Sequence, residues 1–305
     1  MTLAFNRDVS PRPLPLATLL ICAALASPLS AAPRRLVAVG GGDRPAAAMQ
    51  RFVEWSGGPR ARLLVVMWAS GEPEESFALL KGELQAHGPA AIEQAPPAPL
   101  GGEARARLLE QLAAATGIFF SGGDQNRVMD VLRDEELLRA LRARYAAGVP
   151  FGGTSAGAAV MSTPMITGEG DFTVIDAAQV GTREGLGLLP GVVLDQHFVR
   201  RQRQNRLFGL ILARPELLGL GIDEDTALLV SDDRQAEVVG RGPVLVVDGL
   251  ARSGALVVEF LGPGQRYDVV KRRRLAGAAR SDLGGSQLEA AGPRTPAAPW
   301  TGENR

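Results

Sequence analysis

Between residues 36 and 147, short apolar runs alternate with helical patterns, and this alternation constrains the fold more than any other feature of the chain. Leu36-Val37-Ala38-Val39 is followed by a helical pattern from Pro45 to Trp55, and Leu63-Leu64-Val65-Val66-Met67 by another from Glu74 to His87. A helical stretch from Arg105 to Ala115 then leads into Gly117-Ile118-Phe119-Phe120, and a charged one runs from Glu135 to Ala147. Alternation of this kind builds an α/β fold, a mostly parallel sheet with helices on both faces. Beyond residue 220 the rhythm changes. Thr226–Val230, Ala236–Val239, Val244–Val247 and Ala255–Phe260 are short runs punctuated by turn residues, which predicts antiparallel C-terminal strands continuous with the main domain.

One segment carries chemistry on that frame. Gly153-Thr154-Ser155-Ala156-Gly157 is a G-x-S-x-G pentapeptide with a short apolar stretch before it and a helix-compatible run of alanines after it. Small residues on both sides let the chain turn sharply from strand to helix, lifting the serine hydroxyl to where a substrate carbonyl can reach it. In an open α/β sheet this turn belongs at the carboxyl end of a central strand. Gly40-Gly41-Gly42 follows the first strand but lacks the spacing of a dinucleotide fingerprint, so it reads as a tight turn.

Composition narrows the partners. Of 305 residues, 46% are hydrophobic, enough for a substantial core, while 33 basic and 33 acidic residues cancel. No global field favours nucleic acid or an anionic membrane. The start of the chain reads as an export signal over residues 1–31. Arg7 and Arg12 precede an apolar run from Leu14 to Ala26, and Pro28-Leu29-Ser30-Ala31-Ala32 offers a small-residue cleavage site. The run is shorter than the roughly 18 residues a stable membrane anchor needs. The sole cysteine, Cys22, falls within this segment, so a processed chain has no thiolate for a nucleophile, a disulfide or a metal. With no cofactor fingerprint and one further histidine, neither a cofactor nor a metal site is expected. The serine hydrolase domain is expected over residues 35–275, with a disordered tail from residue 276 rich in Gly, Ala, Pro and Ser. Oligomeric state is not legible in the sequence; a homodimer is among the assemblies it allows.

A serine needs a base, and the chain has two histidines. His87 suits a solvated helix end, whereas His197, in Asp195-Gln196-His197-Phe198 at the end of an apolar run, is the better candidate. Its acidic partner stays open among Asp195, Glu169, Asp171 and the run Asp223-Glu224-Asp225, with Glu224 slightly favoured by its place at a strand end. For the oxyanion, the backbone N–H of Ala156 follows from the turn itself, and Ser121-Gly122-Gly123-Asp124-Gln125 supplies the second donor, with Asp124 also suited to cap a helix. Arg200, Arg201, Arg203 and Arg206 follow the histidine. Such a run is ordinarily a solvated face, but beside a catalytic histidine a guanidinium fork can capture a carboxylate. If Arg201, Arg203 and Arg206 all reach the site, the segment is not one straight helix.

Together with Gly185-Leu186-Gly187-Leu188-Leu189 and Gly221-Ile222-Asp223-Glu224, these motifs resemble the cyanophycinases over about residues 35 to 270. That family belongs with the aspartyl dipeptidases among peptidase-E-like serine peptidases on a class I glutamine-amidotransferase-like fold. The resemblance implies a triad of Ser155, His197 and Glu224, with oxyanion donors at Gly122 and Ala156. It also implies a substrate pocket of Gln125, Asp195, Gln196, Arg201, Arg203 and Arg206. The implied substrate is cyanophycin, a polyaspartate backbone bearing arginine on each side-chain carboxylate, cut from one end into β-Asp-Arg dipeptides. An exported serine exopeptidase is therefore expected, in the periplasm or medium. A dipeptidase or isopeptidase for small aspartyl substrates and a non-catalytic member of the fold are the alternatives. An amidotransferase would need a cysteine at the turn.

Overall fold

The computed structural model describes residues 32–250 and 254–276; the expected export signal, and all but the first residue of the expected tail, lie outside the described residues. Strands β1 (Arg35–Val39), β2 (Arg62–Val66), β3 (Ala91–Gln94), β4 (Gly117–Phe120) and β5 (Phe151–Thr154) are mutually parallel, in the spatial order β1-β5-β4-β2-β3. The near-continuous apolar runs of β1, β2 and β4 suit strands covered on both sides, whereas the edge strand β3, Ala91-Ile92-Glu93-Gln94, is half-buried and has no apolar run in the sequence to announce it. Alternate side chains enter different cores: Leu36 and Ala38 point into one, Val37 and Val39 into the other. Helices α1 (Ala46–Trp55) and α2 (Pro73–Gln85) cover the second core with Phe52, Val53, Leu80 and Leu84. Helices α3 (Gly102–Ala114), α4 (Gln125–Val131), α5 (Glu135–Ala146) and the one-turn α6 (Ala156–Ala159) cover the first. Asp124 and Asp134 cap α4 and α5, each side chain accepting backbone N–H bonds from the first turn.

The C-terminal half departs from the sequence reading. A hairpin of β6 (Met165–Gly170) and β7 (Val180–Arg183) stands apart from the main sheet. Beyond it come β8 (Val192–Gln196), α7 (Gln204–Ala213) and β9 (Leu218–Ile222). The later strands are antiparallel as expected, yet they do not simply extend one sheet. β10 (Thr226–Ser231) and β11 (Gln235–Gly240) add to the main sheet beside β1, but β12 (Val244–Asp248) pairs with β9, and β13 (Val257–Leu261) with β12, in a second sheet that also holds β8. β14 (Arg266–Asp268) and β15 (Arg273–Leu275) complete the main sheet. The chain changes sheets three times, at residues 223–225 between β9 and β10, at 241–243 between β11 and β12, and at 262–265 between β13 and β14. On the outer side of the second sheet, Leu207, Leu210 and Ile211 of α7 pack with Val193, Leu245 and Val247.

Candidate active site

β5 delivers Ser155 at its carboxyl end, between β1 and β4, and α6 begins one residue later. Ser155 has φ 52° and ψ −112°, a conformation that costs a side-chain-bearing residue about 1–3 kcal/mol and that persists only where its surroundings enforce it. Here the Ser155 N–H donates to the Val39 carbonyl at 2.9 Å. Gly157 lets α6 sit directly on the end of β4, since a Cβ there would lie 2.3 Å from the Phe120 carbonyl oxygen.

His197 leaves the end of β8 with φ 48°, so strand alternation stops at Gln196 and does not put Asp195 on the imidazole's side. The Gly40–Gly42 loop seats the ring. The His197 N–H donates to the Gly40 carbonyl at 2.7 Å, the Asp225 N–H donates to the Gly41 carbonyl at 2.9 Å, and a Cβ on Gly41 would stand 2.1 Å from His197 Cε1. The result is a relay of contacts. Ser155 Oγ lies 2.8 Å from His197 Nε2, and His197 Nδ1 lies 2.7 Å from Glu224 Oε1. A carboxylate can only accept, so neutral His197 carries its proton on Nδ1 and presents the Nε2 lone pair to the serine hydroxyl. Burial holds the imidazole below its ordinary pKa, aided by Arg201 and Arg203, against the raising effect of the Glu224 hydrogen bond. A ring that is neutral near pH 7 is what a general base requires.

The N–H of Ala156, at the start of α6, and that of Gly122, after β4, have no acceptor among the described residues. Gly122 sits against the serine, where a Cβ would be 3.4 Å from Ser155 Cβ. A cleft of about 350 Å³ opens over Ser155 and His197, walled by Ser121 to Gly123, by Gly41 and Arg44, and by Ser76, Leu79 and Leu80 of α2, with Arg201 at its margin.

The residues expected to line a substrate pocket divide into groups. Arg201 faces the cleft and has no side-chain partner among the described residues. Arg203 donates to the Gln196 carbonyl at 2.9 Å, with its side chain 14% exposed. Desolvation, then the neighbouring Arg206 and Arg201, push its pKa down to about 10, although Asp195 at 4.0 Å counters them. It is a cation short of counter-charge. Arg206 is fully buried and clamps Asp195 through two hydrogen bonds, one of them 2.8 Å from Nε to Oδ2, while Phe172 covers the guanidinium 4.8 Å from its ring centroid. Neither Arg206 nor Asp195 exposes its side chain, so both stand behind Arg203 rather than lining open space. Gln125 is buried and donates to the carbonyls of Ile166 and Thr167, each at 2.8 Å, tying α4 to β6. Gln196 Oε1 and Arg206 Nη1 are buried with no partner among the described residues. The arginines do not share one helix: residues 197–203 form a turn, and α7 starts at Gln204. The other acid candidates lie elsewhere, with Asp171 bonded to Thr173 and Asp223 to the Arg200 N–H. His87 follows α2 outside the cleft lining.

Sequence reasoning missed two participants. Gly41 read as an ordinary turn residue although it touches the histidine, and the only signal was a glycine triplet directly after the strand that pairs with β5. Arg44, bonded to Glu83 at 2.5 Å through both arms of its fork, walls the same cleft.

Residues 36–238 match the family model of peptidase family S51. A cyanophycinase from Geminocystis herdmanii is 36% identical over 248 residues, which cover 75% of this chain and 90% of that protein. One from Synechococcus elongatus is 36% identical over 217 residues, covering 70% and 67%. The crystal structure of a peptidase from an acI-B1 Actinobacterium superposes with a TM-score of 0.59 at 24% identity, over 77% of this chain and 96% of that one, and shares the fold.

Proposed function

The chain belongs to peptidase family S51 and is a serine-type peptidase, and on that premise we propose that it hydrolyses cyanophycin from one end to β-Asp-Arg dipeptides with Ser155, His197 and Glu224 as its triad. The observation that carries the reading is the continuous relay of 2.8 Å and 2.7 Å contacts from the strained serine through the histidine to the glutamate. As Ser155 Oγ bonds to the scissile carbonyl carbon, its proton passes to His197 Nε2, and Glu224 stabilises the imidazolium. The N–H groups of Gly122 and Ala156 receive the oxyanion. Collapse breaks the C–N bond, His197 gives the proton to the leaving amine, and an ester on Ser155 remains. Water then attacks that ester, losing a proton to His197, and the regenerated serine and a free carboxylate close the cycle.

Arg201 and the poorly compensated Arg203 supply the recognition. A substrate with carboxylates offers the counter-charge that Asp195, committed to Arg206, does not fully provide. Arg206, Asp195, Gln196 and Gln125 hold that layer in place. The protein acts outside the cytoplasm, after cleavage near Ala31 or Ala32.

Purified protein incubated with cyanophycin should release β-Asp-Arg detectable by mass spectrometry, and the Ser155→Ala variant should release none. Turnover of small aspartyl dipeptides without polymer hydrolysis would transfer the assignment to a dipeptidase. N-terminal sequencing of the protein recovered from cell fractions tests export; a full-length chain confined to the cytoplasm would end that part of the reading.

A further inference from the structure

A cavity larger than the catalytic cleft lies beside it among the described residues. About 590 Å³ opens where β2 and β3 end, floored by Trp68, walled by Leu100, Val131 and Leu137, and edged by Arg127 and Asp130 of α4. It lies at the same edge of the sheet as Ser155. In the order β5-β4-β2-β3, with about 4.8 Å between neighbouring strands, its floor is about 10–15 Å from the nucleophile. The two spaces share a wall: Ser70 lines the cavity, Ser76 lines the cleft, and their hydroxyl oxygens are 2.9 Å apart. The oxyanion turn also rests on this floor, since a Cβ on Gly123 would lie 2.0 Å from the Ala69 carbonyl oxygen.

The charges at the rim are the informative feature. Arg127 and Asp130 stand three apart on α4, a spacing that brings helical side chains together, yet they form no ion pair. Among the described residues, the Arg127 guanidinium makes one contact, at 3.3 Å to the Ser70 carbonyl, and meets no carboxylate. Asp130 Oδ1 lies 3.1 Å from Arg133 and 3.2 Å from Arg183, and Oδ2 accepts no hydrogen bond among the described residues. A cation without a carboxylate partner and a carboxylate oxygen that accepts no hydrogen bond thus border one apolar chamber, although the carboxylate itself already faces Arg133 and Arg183.

The geometry points to a subsite for the arginyl branch of a polymer unit a few residues from the scissile bond. This inference rests on the proposed polymer substrate. Each branch of that polymer is an arginine joined through its α-nitrogen, so it presents a free carboxylate and a guanidinium separated by three methylenes. Arg127 receives the carboxylate, Asp130 Oδ2 receives the guanidinium, and the apolar walls take the stem. An extended backbone advances about 3.3–3.6 Å per residue, so a unit a few residues from the cut reaches the cavity.

Nα-acetyl-L-arginine reproduces the branch and is the probe. Titrated into the full chain, it should change the emission of Trp68, and the change should disappear in a Trp68→Phe variant. Binding should weaken about tenfold in Arg127→Gln and in Asp130→Asn, the loss of one charge-assisted hydrogen bond, and recover in part in Arg127→Lys. In the same two variants, the ratio of cyanophycin to activated-ester efficiency should fall about tenfold. An unresponsive Trp68, or equal binding by all variants, together with an unchanged ratio, would overturn the subsite while leaving the polymer reading intact. Conversely, a wild-type chain that turns over the ester and binds the probe but leaves cyanophycin whole would retain an arginyl site and lose the proposed substrate.

Discussion

Replacing Gly41 with alanine should cripple turnover without unfolding the protein, and the size of the effect follows from one distance. The added Cβ would stand 2.1 Å from His197 Cε1, whereas carbon atoms in contact rest about 3.5–4.0 Å apart, so ring and loop must separate by about 1.4 Å or more. The 2.8 Å contact from Nε2 to Ser155 Oγ does not survive a shift of that size in the ring. A displacement of about 1 Å can cost a hundredfold, and full loss of the general base about 10²- to 10⁴-fold, so kcat for an activated ester should fall within that interval. Gly41 also has φ +117°, which is strained for alanine by about 1–3 kcal/mol, enough to lower the melting temperature by about 2–12 °C in a domain of this size. Ester kinetics and circular-dichroism melting read the two effects separately. The decisive comparison is the same substitution in a His197→Ala background, where the ring is gone and Gly41→Ala should reduce the residual rate little further. A folded Gly41→Ala enzyme with kcat within threefold of the parent would refute the claim that this loop seats the base.

Other outcomes separate the two acids, the base and the arginines. Glu224→Gln should slow turnover with little change in melting temperature, whereas Asp195→Asn leaves the buried Arg206 guanidinium unpaired and should destabilise the fold by about 3–5 kcal/mol in a denaturant titration. An unaltered unfolding midpoint for Asp195→Asn would contradict that account. Because burial holds the His197 pKa below about 6.5, the acidic limb of the kcat/KM profile should have its midpoint below that pH, with activity lost on acidification as the imidazole takes up a proton. Removing the Glu224 hydrogen bond should shift the midpoint further down; an upward shift would show that the glutamate does not stabilise the imidazolium. Arg201→Lys should reduce cyanophycin hydrolysis by about tenfold to a hundredfold, more than ester hydrolysis, because an ammonium lacks the two-donor fork. Equal losses on both substrates would assign Arg201 to the catalytic machinery instead.

Most of the parallel half of the fold was legible in the sequence because its signals are local, the exception being the half-polar edge strand β3. Apolar strands of four or five residues, helices with one apolar face and the glycines around Ser155 each report their conformation within a few residues, and the chain order of strand and helix then dictates a covered parallel sheet. The serine turn was legible for the same reason: its backbone geometry needs small residues at fixed offsets. What the sequence could not decide depends on which distant segments meet. Short apolar runs such as Thr226–Val230 and Val244–Val247 look alike whether they join one sheet or the other, so the assignment of β10 and β11 to the main sheet and β12 and β13 to the second waited on tertiary pairing. Its place at a strand end favoured Glu224 only slightly as the partner of His197, and the resemblance singled it out. On a regular strand Asp195, two residues before His197, would project to the same side as the imidazole, but that alternation lapses when His197 adopts φ 48° and leaves the strand. Asp195 then pairs with Arg206, eleven residues on, in a buried contact that no local pattern announces. The seat of the imidazole is the plainest case: Gly41 and His197 are far apart in sequence, and a missing side chain at one acquires meaning only because the fold brings the ring of the other against it.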